Sequence, residues 1–162
     1  MSKTIDDFRN FFRIDKEKSL FDIKTAIQEA INLQSAQLKN HNINLTLEGN
    51  SFSFLGYKTE FQHVIINLIS NAKDALLKRE IKSAEINIKI IENKILIHDN
   101  ANGIEESIID RVFEPYFTTK AQGEGTGIGL YMSKMIIEDN MHGKIFVKNE
   151  NDGALFSIEL NV

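Results

Sequence analysis

The stretch KTEFQHVIINLISNAKDALLKR, residues 58–79, decides the fold. Phe61, Val64, Ile65, Leu68, Ile69, Ala72, Ala75 and Leu76 recur at intervals of three and four, which gathers them on one side of a helix about 30 Å long. Asn67, Asn71 and Asp74 fall at i, i+4 and i+7, so they share another face, and Glu60 and Lys78 extend that stripe. Two asparagines inside a helix cost about 1 kcal/mol together relative to better helix formers. A solvated face explains such a stripe by itself. A row of amide oxygens offered to Mg²⁺ explains it too, because that ion prefers oxygen ligands and takes the rest from water and phosphates.

Outward from this helix the pattern is mixed α and β. Before it, Phe21–Ile23 reads as a short strand, Ala26 to Asn40 as a helix, Ile43–Leu47 as a half-buried strand and Phe52–Leu55 as another. After it come strands 85–91 and 94–98 joined at Glu92-Asn93, a short helix near 105–112 and a helix from Gly127 to Asn140. Strands 144–148 and 154–160, separated by an Asn-Asp-Gly turn, close the chain. Residues 1–18 differ: Ile5, Phe8, Phe11 and Phe12 recur at helical spacing before a charged DKEK stretch, which reads as the end of an amphipathic helix and a linker.

Composition narrows the class. The 162 residues fit one domain that needs neither disulfide nor structural metal. The absence of cysteine excludes thiolate zinc sites and a cysteine nucleophile, and suits a reducing compartment. A net charge of −4 argues against a general nucleic-acid binder, and no apolar run approaches the ~20 residues that span a bilayer.

Three further elements look chemical. Asp99-Asn100-Ala101-Asn102-Gly103-Ile104 follows strand 94–98; a carboxylate there suits an exocyclic amine such as that of adenine, although such clusters are also ordinary turns. Gly123-Glu124-Gly125-Thr126-Gly127-Ile128-Gly129-Leu130 has glycine at every second position and opens a helix, a cradle for anions. It matches neither the dinucleotide fingerprint nor a P-loop. Arg111-Val112-Phe113-Glu114-Pro115-Tyr116-Phe117-Thr118-Thr119-Lys120 sets the only proline and three aromatics before two hydroxyls and a lysine, which suits either a phosphate contact on an anchored loop or a plain hydrophobic anchor.

In this order the four elements resemble the N, G1, F and G2 boxes of sensor histidine kinases, within the superfamily of DNA gyrases, heat-shock-90 chaperones and mismatch-repair ATPases. NLISNAKDAL, FEPYFTTK and GTGIGL resemble the nitrogen-regulation-type branch. The resemblance covers about 19–162 and implies an α+β fold, the Bergerat two-layer α/β sandwich. Such a fold has a mixed sheet of about five strands, three helices on one face and a flexible ATP lid over roughly 105–126. It implies a cytoplasmic catalytic and ATP-binding domain in 19–162, with 1–18 as the tail of a dimerisation and phosphotransfer helix. The parent kinase is then a dimer, either free or anchored to a membrane, and this fragment a monomer touching neither membrane nor nucleic acid.

By the same resemblance Asn71 coordinates Mg²⁺, Asn67 supports metal or phosphates, and Asp99 binds the adenine amine. Gly103 and Ile104 then admit base and ribose, and Phe113 and Phe117 control the lid. Thr118, Thr119, Lys120, Gly125, Thr126, Gly127, Ile128, Gly129 and Leu130 complete the nucleotide site, with Lys120 and the glycine amides on the phosphates. Asp74 lies where many relatives carry a basic residue, and Ala101 replaces the usual first glycine of G1.

The family's phosphoacceptor is a histidine followed by an acid, with a proline nearby. None of His41, His63, His98 and His142 has that context, so the acceptor belongs to a separate helical domain of the same kinase, and the resemblance implies a response regulator as an indirect partner. Gyrase-type relatives carry a general-base glutamate where Asn67 stands, which favours kinase over ATPase. Two other readings stay open: a degenerate nucleotide sensor, and a hydrolase drawing its base from Glu60 or Glu124. Glu60 lies some 16 Å along the helix from Asn71.

Overall fold

The computed structural model describes residues 17–118 and 127–161. In chain order these form β1 (Ser19–Asp22), α1 (Ile23–Asn40), β2 (Asn44–Gly49), β3 (Ser53–Gly56), α2 (Lys58–Lys78), β4 (Glu85–Ile91) and β5 (Lys94–Asp99). A 3-10 turn at Ile109–Arg111 follows, then α3 (Gly129–Lys134) running on as π-helical turns over Met135–Asn140, then β6 (Lys144–Glu150) and β7 (Gly153–Glu159). Segment 1–16, with its expected helix, lies outside the described residues, as do Thr119, Lys120, Gly125 and Thr126.

The main sheet has the order β2-β4-β5-β7-β6. Only β2 and β4 run parallel, and β3 with α2 supplies the long crossover that a parallel pair requires. Alternation along the strands puts Ile86, Ile88, Ile90, Ile95, Ile97, Ile145, Phe156 and Ile158 on one face, where all are buried. Ile23, Ala26, Ile27, Ala30 and Ile31 of α1 and Phe61, Val64, Ile65, Leu68, Ile69 and Leu76 of α2 complete the same core. Each such isoleucine or leucine contributes about 1.5–3 kcal/mol by leaving water. Three helices against a mixed five-stranded sheet make the expected two-layer α/β sandwich.

Several boundaries differ from the sequence reading. Strand β1 covers 19–22 rather than 21–23, because Asp22 caps α1 and so starts that helix at Ile23. Its carboxylate accepts the Thr25 N–H at 2.9 Å, the Thr25 hydroxyl at 2.7 Å and the Ser51 hydroxyl at 2.8 Å. Those bonds, Thr25 foremost, hold the Asp22 carboxyl below the usual carboxylate range. Strand β1 pairs with β3 in a separate ribbon, Phe21 opposite Phe54, with their rings edge to face at 6.2 Å.

The helix expected near 105–112 contracts to one 3-10 turn. Glu105, Glu106 and Ser107 are exposed and only Val112 is buried there, too little apolar surface to hold a longer helix. The helix expected from Gly127 begins at Gly129, since Gly127 adopts φ +71°, which no helix accommodates.

Candidate functional site

Helix α2 is central, with a neighbour on either flank. Towards α1, Gln62 Nε2 donates to the Ala26 carbonyl at 3.2 Å, Gln34 Nε2 to that of Ile66 at 3.1 Å, and Lys73 Nζ to Gln37 Oε1 at 2.8 Å. Towards α3, Asn67 Nδ2 donates to Ser133 Oγ at 3.2 Å, and a Cβ on Gly129 would overlap Asn67 Oδ1. Asn67 therefore docks α3 on α2, a task its spacing alone did not reveal.

One turn further along, Asn71 is half-buried, and its side chain makes no hydrogen bond among the described residues. Asp74 is half-buried and Lys78 exposed. Glu60 is buried and accepts Asn140 Nδ2 at 2.7 Å, which binds the end of the π-helical segment to the start of α2.

At the other end of α2 lies the loop after β5. Asp99 is 6% exposed, and its Oδ1 accepts the N–H groups of Ala101 at 3.0 Å and Ala154 at 3.4 Å. Burial raises its pKa above the ordinary carboxylate value, against the lowering effect of those two N–H bonds and of His98 and Arg79. Its Oδ2 has no hydrogen bond among the described residues. A buried acceptor left open on one side suits a neutral amine donor.

Ala101, in place of the expected glycine, is 1% exposed and joins the core, so its methyl has a place. Its carbonyl accepts Arg79 Nη1 at 2.9 Å, which ties the end of α2 to this loop. Gly103 has φ +81°, and a Cβ there would stand 2.6 Å from Asn149 Oδ1. Asn149 in turn holds both backbone groups of Ile104, accepting its N–H at 2.8 Å and donating to its carbonyl at 2.6 Å.

The aromatic element is held from outside at Phe113 and at Tyr116, and from within by Arg111. Phe113 meets Phe156 edge to face at 6.1 Å, and Arg111 lies over the Phe117 ring at 4.6 Å. Tyr116 N–H donates to the Gly127 carbonyl at 2.8 Å, so the chain before residue 119 is fastened to the chain after residue 126. A Cβ on Gly127 would overlap the Tyr116 backbone. Beyond it Ile128 is buried and Leu130 leans on the core, while Thr118 is exposed.

Asp99, Ala101, Gly103 and Ile104 thus lie together at the end of β5 and the loop after it, and Asn67 and Gly129 sit at the α2–α3 contact. Sequence reasoning missed Arg79, Asn100, Asn149 and Gly153. Asn100 accepts the Glu85 N–H at 2.8 Å and donates to the Ser83 carbonyl at 2.7 Å, fixing the start of β4. Gly153 lies so close to the Asp99 carbonyl that any Cβ would overlap it, and the Asn-Asp-Gly turn was its one visible signal. Among the described residues no three His, Cys, Asp or Glu side chains form a metal cluster. The unengaged amide of Asn71 fits a cation that takes most ligands from water and phosphate, which is the habit of Mg²⁺. No helix among the described residues is long and apolar enough to cross a membrane.

Residues 56–162 match the family described as histidine kinase-, DNA gyrase B-, and HSP90-like ATPase. The two-component sensor PprA of Pseudomonas aeruginosa is 35% identical over 149 residues, which are 86% of this chain and 16% of that protein. An NtrY-like sensor histidine kinase of Rickettsia conorii is 28% identical over 134 residues, 80% of this chain and 22% of that protein. The chain therefore spans about a fifth of the length of the relatives it matches. Among solved structures, the nucleotide-free catalytic domain of the histidine kinase ThkA superposes with a TM-score of 0.74 at 29% identity. That match covers 89% of this chain and 95% of the ThkA domain. The chain belongs to the histidine kinase-, DNA gyrase B- and HSP90-like ATPase family, as a catalytic domain of the sensor histidine kinase kind.

Proposed function

We propose that this domain binds Mg-ATP and passes the γ-phosphoryl group to a histidine on a separate helical domain, from which a response regulator takes it. The observation that carries this reading is Asp99: a buried carboxylate with one oxygen spent on two backbone N–H groups and the other open. That open oxygen accepts the adenine amine. Gly103 and Ile104 border the base, and Phe113 and Phe117 control the lid. Asn71 would hold the Mg²⁺, which would supply positive charge to offset that of the phosphates. Along the α2 axis Asn71 stands about 12 Å from Arg79, whose guanidinium reaches the loop that follows Asp99. That span suits a nucleotide with its base at Asp99 and its phosphates towards the α2–α3 contact.

Lys120 and the amides around Gly125, Gly127 and Gly129 are proposed for the phosphates from the sequence motif. In the transfer, an imidazole nitrogen forms the new P–N bond while the bond between the γ-phosphorus and the bridging oxygen breaks, and ADP leaves. The domain's own contribution is positioning and charge stabilisation, so it needs no general base. Asn67 stands where hydrolysing relatives carry one, and Glu60 is buried against Asn140. Both features support transfer rather than hydrolysis. Calorimetric titration with a non-hydrolysable ATP analogue in the presence of Mg²⁺ tests the binding step: heat with saturation in the micromolar-to-millimolar range is expected, and its absence refutes the reading.

A further inference from the structure

We propose that Asn149 is a positioning residue that sets the nucleobase preference of the site, an inference that rests on the ATP-binding reading above. Asn149 lies near the end of β6, 45 residues from the loop it holds. Its Oδ1 accepts the Ile104 N–H at 2.8 Å, and its Nδ2 donates to the Ile104 carbonyl at 2.6 Å and to Glu106 Oε1 at 3.1 Å. One side chain therefore satisfies both backbone groups of Ile104, as a neighbouring strand would. Gly103 is shaped to this arrangement, since its φ is +81° and a Cβ would press on the Asn149 amide. The far side of the loop is held by Asp99 and, at Ala101, by Arg79.

The consequence concerns selectivity. Asp99 distinguishes an amine from a carbonyl on the base only if the base edge is presented to it in one register. The backbone from Gly103 to Ile104 is the wall that sets this register, and Asn149 fixes that wall. Among the described residues the Ile104 backbone has no other hydrogen bond that could replace the clamp. Removing it leaves Asp99 in place but frees the wall to move.

The test compares ATP with inosine triphosphate, which lacks the amine, by calorimetry on the full chain with Mg²⁺. The unsubstituted chain should prefer ATP. Asn149→Ala should lower ATP affinity about tenfold while changing inosine triphosphate affinity less than twofold, so the preference collapses. Asn149→Asp keeps the acceptor for Ile104 N–H, loses the donor and faces Glu106, so its preference should fall between the two. Cooperative thermal unfolding of both variants shows that the fold is retained, and hydrogen exchange at Ile104 should quicken in Asn149→Ala. An equal loss for both nucleotides, or an unchanged preference, overturns this inference alone. Failure of the unsubstituted chain to bind ATP overturns the nucleotide reading and this inference with it.

Discussion

Gly129 meets Asn67 with no room for a side chain: a Cβ on Gly129 would stand 3.0 Å from Asn67 Nδ2 and overlap its Oδ1. The same Asn67 donates to Ser133, one turn further along α3. Glycine and asparagine together set how near α3 sits to α2, and so where the glycine-rich element ends.

Gly129→Ala should therefore destabilise the domain by about 1–2 kcal/mol, the usual cost of overpacking, despite alanine's better helix propensity. Asn67→Ala removes the obstruction along with the Ser133 bond. The double variant should be more stable than the sum of the single losses predicts, which urea denaturation of all four proteins measures. Strict additivity would mean that the two residues do not press on each other.

Asp99 carries a pH signature. Its pKa is raised in the folded chain by burial, so its favourable contribution is present in full below the unfolded carboxylate value and fades as pH rises through the folded one. At neutral pH the buried charge costs stability. Asp99→Asn keeps an oxygen for Ala101 and Ala154, so it should be the more stable protein at pH 7, with the difference closing towards pH ~4. The same variant should bind ATP about tenfold or more weakly, because an amide N–H would face the adenine amine. Thermal melts across pH together with calorimetry check both halves.

Asn71→Ala separates ligand chemistry from folding. The Asn71 side chain has no hydrogen bond among the described residues, so the substitution should change stability by less than about 0.5 kcal/mol. Binding of the nucleotide should nevertheless lose its enhancement by Mg²⁺, seen by titrating ATP with and without the ion. A large drop in stability would assign Asn71 to the scaffold instead.

Gly153→Ala should be among the most disruptive glycine substitutions, costing more than about 3 kcal/mol, because its Cβ would overlap the Asp99 carbonyl and strand β7 cannot move without breaking its pairing with β5. Urea denaturation measures the cost, and a near-normal midpoint would contradict it.

Much of this architecture is legible in local pattern. The periodicity of residues 58–79 gives α2, bounded in the structure as Lys58–Lys78, and the alternation of 85–91 and 94–98 gives β4 and β5. What local pattern cannot carry is contact between distant residues. Nothing near Asn149 says that it holds Ile104, and nothing near Arg79 says that it reaches Ala101, because those pairs meet only once the sheet and α2 are assembled. The motif explains a glycine at 103 by room for a ligand, and its positive φ and its fit against Asn149 add a second reason that no local pattern shows. The start of α1 is a local competition: Phe21 and Ile23 suit a strand, but Asp22 between them caps the helix through Thr25, three residues on.

Transfer and hydrolysis leave the γ-phosphate in different places, and one labelling experiment separates them. The chain is incubated with Mg²⁺ and ATP labelled at the γ-phosphate, together with a separately prepared helical phosphoacceptor domain of a parent kinase. Label is expected on a histidine of the helical domain, in an acid-labile bond, with little phosphate released when that domain is left out. Rapid release of phosphate by the chain alone, with no label on histidine, would contradict it.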